Sequence, residues 1–169
     1  APPKHRYLKV KDLVGIPWKF AIAMQEDGWY LRQDIIWHKP VPMPEAVNDR
    51  FQKSHEHIFL FSKKPKYYFN AEAVGIPKKH EEGWVRRHDV WEMPTSNYQG
   101  AHFAVFPQKL PELCIKASTK EGDTVLDPFM GSGTTAYVAQ QLGRKWIGIE
   151  LNPEYIKIIK QRTSQQTLF

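Results

Sequence analysis

The chain has 169 residues, a formal net charge of +6, and 41% hydrophobic and 25% charged residues, which is ordinary for one globular domain with its own core. Its single cysteine excludes an internal disulfide framework and fits a reducing compartment. There is no signal peptide or long apolar run, so the expected location is the cytoplasm with no membrane contact, and the positive balance suits a polyanionic partner.

Ala1 to Lys11 is polar and basic with a Pro2-Pro3 pair, and reads as an arm or loop. Pro17 suits the first turn of a helix whose apolar face is Phe20, Ala21 and Met24, with Gly28 at its end. Gln33 to His38 reads as a strand. The run Lys39-Pro40-Val41-Pro42-Met43-Pro44 excludes regular helix and central strand, and is either a stiff surface connection or a loop over a site. His55 to Ser62 is a second strand, with His55, His57, Phe59 and Phe61 on one face. Two histidines make no metal site without a third ligand, and the zincin helix pattern is absent, so no metal is expected. Lys66 to Asn70 can pair back as a hairpin.

Ala71 to Tyr98 breaks pattern. It mixes Lys78, Lys79, Arg86 and Arg87 with Trp84 and Trp91. Cations for phosphates and planar rings for bases are what nucleic-acid contact requires, and a solvated loop with packed tryptophans is the plainer alternative. Phe106-Pro107 then precedes an amphipathic helix carrying Leu110, Leu113 and Cys114. Cys114, between Leu113 and Ile115, reads as a packed residue with a raised thiol pKa.

Thr124 to Leu126 is a short apolar run that suits a buried strand, ended by Asp127-Pro128. Gly131-Ser132-Gly133 is a turn, and Ala136, Ala139 and Leu142 mark a helix with Gly143 just past its end. Lys145 to Leu151 is the next strand. Asn152 can cap a helix with Pro153 at its first position and Tyr155, Ile158 and Ile159 on its core face. The polar tail frays from Thr163. Strand, glycine turn, helix and strand together form half of a doubly wound, Rossmann-like α/β fold.

Gly131-x-Gly133-x-x-Ala136, with Glu150 following, matches the dinucleotide fingerprint. Thr134 and Thr135 follow Gly133 where a P-loop needs lysine before Ser/Thr, which sets that reading aside. A nicotinamide cofactor brings a pyrophosphate to the helix N-terminus, where Asp127 would repel it. S-adenosylmethionine has no phosphate and carries a sulfonium and an ammonium, so a carboxylate at the strand tip favours it.

Asp127-Pro128-Phe129-x-Gly131-Ser132-Gly133-Thr134-Thr135 and Gly148-Ile149-Glu150-Leu151-Asn152-Pro153-Glu154-Tyr155 resemble the cofactor motifs of the DNA amino-methyltransferases, which modify N4 of cytosine or N6 of adenine. Lys39 to Pro44, Asp49-Arg50 and Ser54-His55-Glu56 also fit that pattern, and the resemblance runs from about Asp12 to about Gln161. It implies one S-adenosylmethionine-dependent methyltransferase domain over 1–169. Residues 12–63 would form the target-side half, 64–100 a short DNA-recognition insertion, and 101–162 the cofactor half. The cofactor residues implied are Asp127 for the charged methionine end, Glu150 for the ribose, and Phe129, Gly131, Ser132, Gly133, Thr134, Asn152, Phe103 and Phe106. For duplex DNA the candidates are Arg86, Arg87, Lys78, Lys79 and Lys39. Asp34 and Trp37 are candidates for the cleft wall.

The family's catalytic tetrapeptide, Ser/Asp/Asn-Pro-Pro followed by an aromatic residue, is absent. Ala1-Pro2-Pro3-Lys4 has only its prolines. The catalytic residues are therefore unassigned, and the expectation is an incomplete sheet whose missing strand comes from further residues or a second chain. The overall likeness leans to N4 of cytosine. A cofactor- or DNA-binding subunit without the catalytic loop, and an RNA or protein methyltransferase, are the other readings. The C5-cytosine chemistry is rejected because it needs an activated cysteine and Cys114 is in apolar company.

Overall fold

Proline and glycine set the first helix. Pro17 stands in the opening turn of α1 (Ile16–Glu26), and Gly28 closes it by donating its N–H to the Gln25 carbonyl at 3.1 Å. A computed structural model of the chain describes residues 7–95 and 106–164. It resolves into two units, the first running to Ile35 and adding His57–Tyr67, the second comprising Ile36–Glu56 and the chain from Tyr68 onward.

In the first unit β1 (Tyr30–His38) begins three residues before the expected Gln33, and β2 (His55–Ser62) lies beside it with the expected bounds. The period of two in β2 lines up aromatic rings: His57 stacks on Phe59 at 5.9 Å, and Phe59 meets Phe61 at 6.1 Å. Helix α1 lays Trp18 edge-on against His57 and Phe20 against Phe61. Of its expected apolar face only Ala21 is buried, and Phe20 remains 53% exposed.

In the second unit, Ile36, Trp37 and His38 at the end of β1 pair in parallel with β5 (Val90–Glu92). The segment read as patternless holds a small hairpin of β3 (Ile76–Pro77) and β4 (Trp84–Val85). Trp84 lies where a side chain at Gly75 would be, so Gly75 lets the ring close on the backbone. Lys66 to Asn70 forms no strand. Asn70 instead donates its N–H to the Ala117 carbonyl at 2.8 Å and accepts the Ala73 N–H on its side chain at 3.0 Å, which turns the chain.

The rest of the unit follows from the glycine-turn motif. α2 (Lys109–Ser118) precedes β6 (Thr124–Asp127), α3 (Thr134–Gln141), β7 (Lys145–Gly148) and α4 (Pro153–Ser164). Strands β6 and β7 are parallel, with Asp127 opposite Gly148. The second strand stops at Gly148, short of the expected Leu151, although the Ile149 N–H still reaches the Asp127 carbonyl at 3.0 Å. Helix α3 is the hub. Ala136 and Ala139 are fully buried, Val138 and Ala139 pack with Ile115 of α2, and Ala136 packs with Met130 and Ile159 of α4. Trp146 touches both clusters. Leu126 and Ile147, opposite each other in register, are 60% and 56% exposed, which corrects the reading of β6 as a buried strand. Two strands leave one face of this sheet uncovered among the described residues. Among those residues no helix is long and apolar enough to cross a membrane.

Candidate functional site

The site is built where β6 and β7 end. Asp127 closes β6, and its carboxylate is held from two directions. The Phe129 N–H donates to Oδ1 at 2.9 Å and the Thr135 hydroxyl donates to Oδ2 at 2.6 Å. Glu150, just past β7, is held in the same way. Gly131 N–H donates to its Oε2 and Asn152 N–H to its Oε1, both at 2.8 Å. Each carboxylate is thus fixed by two donors, one backbone N–H and one hydroxyl for Asp127 and two backbone N–H groups for Glu150, with lone pairs left over.

Between them runs the turn. Gly131 and Gly133 have φ of 54° and 83°, left-handed values that favour glycine. The Met130 N–H donates to the Ile149 carbonyl and the Gly133 N–H to the Met130 carbonyl, both at 3.0 Å, so the turn is pinned to the extension of β7. Helix α3 starts at Thr134 with its N–H groups opening toward this turn. Ser132 and Thr134 are buried, whereas Phe129 projects with 87% of its surface exposed. Asn152 caps α4 as expected, accepting the Glu154 N–H at 3.0 Å.

The structure therefore gathers Asp127, Phe129, Gly131, Ser132, Gly133, Thr134, Glu150 and Asn152 into one hydrogen-bonded cradle. Phe106 is half-buried ahead of α2, and Phe103 lies outside the described residues. Two members escaped the sequence reading. Thr135 holds Asp127, and its place after Thr134 on an acid-facing turn was the signal. Arg162 donates to the Ser132 carbonyl at 2.9 Å and to its hydroxyl at 3.2 Å. No pattern in the sequence marks that arginine.

The remaining candidates sit apart from the cradle in their bonding. Asp34 pairs with the His57 ring at 3.0 Å. Trp37 is 5% exposed and gives its indole N–H to the Met93 carbonyl at 2.9 Å. Lys39 is ion-paired with Glu56 and lies 4.5 Å from the Trp37 ring centroid. The proline loop after it is braced by Arg50 on Glu45 at 2.7 Å and by Gln52 on the Met43 carbonyl at 3.1 Å. Lys78 pairs with Glu81 at 2.8 Å beside Lys79 in the β3–β4 turn. Arg87 gives its Nε–H to the Val74 carbonyl at 2.8 Å and is half-buried, while Arg86 is exposed. Burial pushes the Cys114 thiol up to about 11, away from the thiolate a nucleophile needs. Among the described residues no group of three His, Cys, Asp or Glu side chains is placed to hold a metal ion.

A family model described as DNA methylase matches residues 7–161. The chain is 56% identical over 155 residues to the type II methyltransferase M.Cfr9I of Citrobacter freundii, covering 92% of this chain and 51% of that protein. It is 51% identical over 162 residues to M.SmaI of Serratia marcescens, covering 95% and 56%. The chain thus spans about half the length of these relatives. Among solved structures it resembles PvuII DNA methyltransferase (cytosine-N4-specific) with a TM-score of 0.77 and 27% identity, covering 96% of this chain and 62% of that one. The M1.HpyAVI–SAM complex follows at 0.65 and 30%, covering 89% and 71%. The expected α/β fold, with its sheet present in parts, is the fold of these methyltransferases.

Proposed function

Because the chain belongs to the DNA methylase family, we propose that it carries the cofactor and target-side portions of an enzyme that moves a methyl group from S-adenosylmethionine to N4 of cytosine in duplex DNA. The observation that carries this reading is the cradle. It offers Asp127 and Glu150 as fixed carboxylates on either side of a turn whose glycines let a ligand approach the backbone. The preference for N4 rests on the likeness to the cytosine-N4-specific PvuII enzyme, with a TM-score of 0.77.

The residues fit this donor. No lysine stands at the turn to bind a phosphate, and Arg162, the cation bonded there, already spends its Nη1 on Ser132. Asp127 would face the charged methionine end and Glu150 the ribose hydroxyls, with Phe129, Gly131 and Gly133 along the cofactor. When bound, the donor supplies an electrophilic methyl. The chain's own part is to hold and orient, since positioning and electrostatics carry most of such a reaction. The family's catalytic tetrapeptide is not in the sequence, so the group that grips the target amine comes from further polypeptide in this reading.

Transfer of labelled methyl to duplex DNA tests it, using the chain alone and with the part of M.Cfr9I outside the matched region. Label recovered as N4-methylcytosine in the mixture is the expected result. N6-methyladenine would overturn the base assignment, and failure of the chain to bind S-adenosylmethionine in calorimetry would overturn the whole reading.

Residues 64–100 are the proposed DNA-facing segment, and the structure separates its two arginines. Arg87 is tied to the Val74 carbonyl, while Arg86 is exposed and can reach a phosphate or a guanine edge. Arg86→Ala is expected to weaken DNA binding and reduce the slope of log affinity against log salt by about one. Arg87→Ala should cost stability first. Equal salt slopes for Arg86→Ala and the unsubstituted chain would remove Arg86 from the interface.

A further inference from the structure

We infer that Arg162 is a positioning residue for the cofactor turn. The inference rests on the reading of that turn as the S-adenosylmethionine site. Helix α4 meets the turn at Ile159, which packs on Met130 and Ala136 and whose Cγ1 would lie 3.0 Å from a Cβ at Gly133. One turn further on, Arg162 Nη1 donates to the Ser132 carbonyl at 2.9 Å, to the Ser132 hydroxyl at 3.2 Å and to the Thr134 hydroxyl at 3.4 Å. Its guanidinium also stands 5.6 Å from the Tyr137 ring centroid on α3.

These contacts fix a peptide plane. The Ser132 carbonyl points to Arg162, and the N–H of the same peptide unit, that of Gly133, points to the Met130 carbonyl at 3.0 Å. Both ends of that unit are therefore tied. Gly133, whose Cα is one pivot of this plane, gives the backbone freedom to rotate it, and these two bonds oppose that rotation. A rotated plane would aim a carbonyl at the ligand space in place of the present arrangement. At its other end α4 is linked to Glu150, whose Oε1 accepts the Asn152 N–H at 2.8 Å. One helix thus braces both the turn and the ribose-side carboxylate. The cation also brings positive charge to the N-terminus of α3, where the helix dipole disfavours it. The hydrogen bonds offset that cost, so charge alone does not explain the residue's place. A turn held in its binding shape before the ligand arrives loses less entropy on binding.

Arg162→Gln and Arg162→Lys test the idea in the full chain, by calorimetry with S-adenosylmethionine and by amide hydrogen exchange. Expected for the Gln variant are faster exchange confined to the 130–134 turn, unchanged protection in β6 and β7, and an affinity lowered about tenfold. The Lys variant, which keeps the charge and can reach only part of the contact set, should fall between. Loosening throughout the second unit, or a loosened turn with unchanged affinity, would overturn the positioning role. A failure of the unsubstituted chain to bind the donor would instead strike the functional reading, and the exchange pattern would still show whether Arg162 sets the turn. If the Gln variant does not fold, an affinity and turn exchange in the Lys variant equal to those of the unsubstituted chain would overturn the inference.

Discussion

Asp127→Ala is expected to weaken S-adenosylmethionine binding about 100-fold or more in titration calorimetry, the size of effect that follows from deleting a fixed carboxylate opposite a cationic group. The geometry makes the effect interpretable. The carboxylate is not a loose surface charge, because the Phe129 N–H and the Thr135 hydroxyl hold its two oxygens at 2.9 and 2.6 Å. Removing it also strands two donors, so some loss of stability accompanies the loss of binding. Asp127→Asn separates the two. The amide keeps an acceptor for Phe129 and a donor for the Thr135 oxygen, and it removes only the charge. Melting temperature should therefore be nearly kept in the Asn variant while affinity falls. Unchanged affinity in the Ala variant would show that Asp127 does not face the donor.

The second large effect belongs to Gly133. Its φ is 83°, and an added Cβ would come within 3.0 Å of Ile159 Cγ1 and 3.3 Å of its Cα. Gly133→Ala combines left-handed strain with overpacking against backbone that cannot retreat, for a destabilisation of about 3 kcal/mol. Gly143 offers the comparison. Its φ is 70°, yet the neighbour is the Glu121 side chain, which can swing away. Gly143→Ala should cost only the strain, about 1 kcal/mol. Urea unfolding of both variants measures the difference. Equal costs would mean that α4 yields to the turn and does not brace it.

The glycine-turn half was legible in the sequence because its signals are local. Asp127-Pro128 ends a strand, Gly143 ends a helix at φ 70°, and Asn152-Pro153 starts one, each through a rule that depends on residues a few places apart. Strand β2 was legible for the same reason, since its alternation of rings is a period-two signal. The hairpin at Ile76–Val85 and strand β5 were not. Two- and three-residue strands are too short to show a period, and what places them lies outside them: Trp84 on Gly75, and the Asp89 carbonyl accepting the Ile36 N–H at 2.8 Å. Lys66 to Asn70 misled in the opposite sense. Its aromatic run has strand propensity, but Asn70 bonds to Ala117 and closes a turn, and tertiary contact overrides propensity. Arg162 could not be read at all, because an arginine near a helix end is ordinary and its partner lies thirty residues back.

That distance has a kinetic meaning. Among the described bonds of the cradle, Thr135 to Asp127 spans 8 residues, Gly131 to Glu150 spans 19, and Arg162 to Ser132 spans the widest interval at 30. Closing loops of this size is inexpensive, since doubling a loop adds only about 0.6 kcal/mol. Chains whose contacts are this near in sequence form them early and quickly. The short separations within the strand–turn–helix–strand–helix segment therefore favour early closure of its turn, ahead of the longer-range pairing of Ile36 in β1 with Val90 in β5.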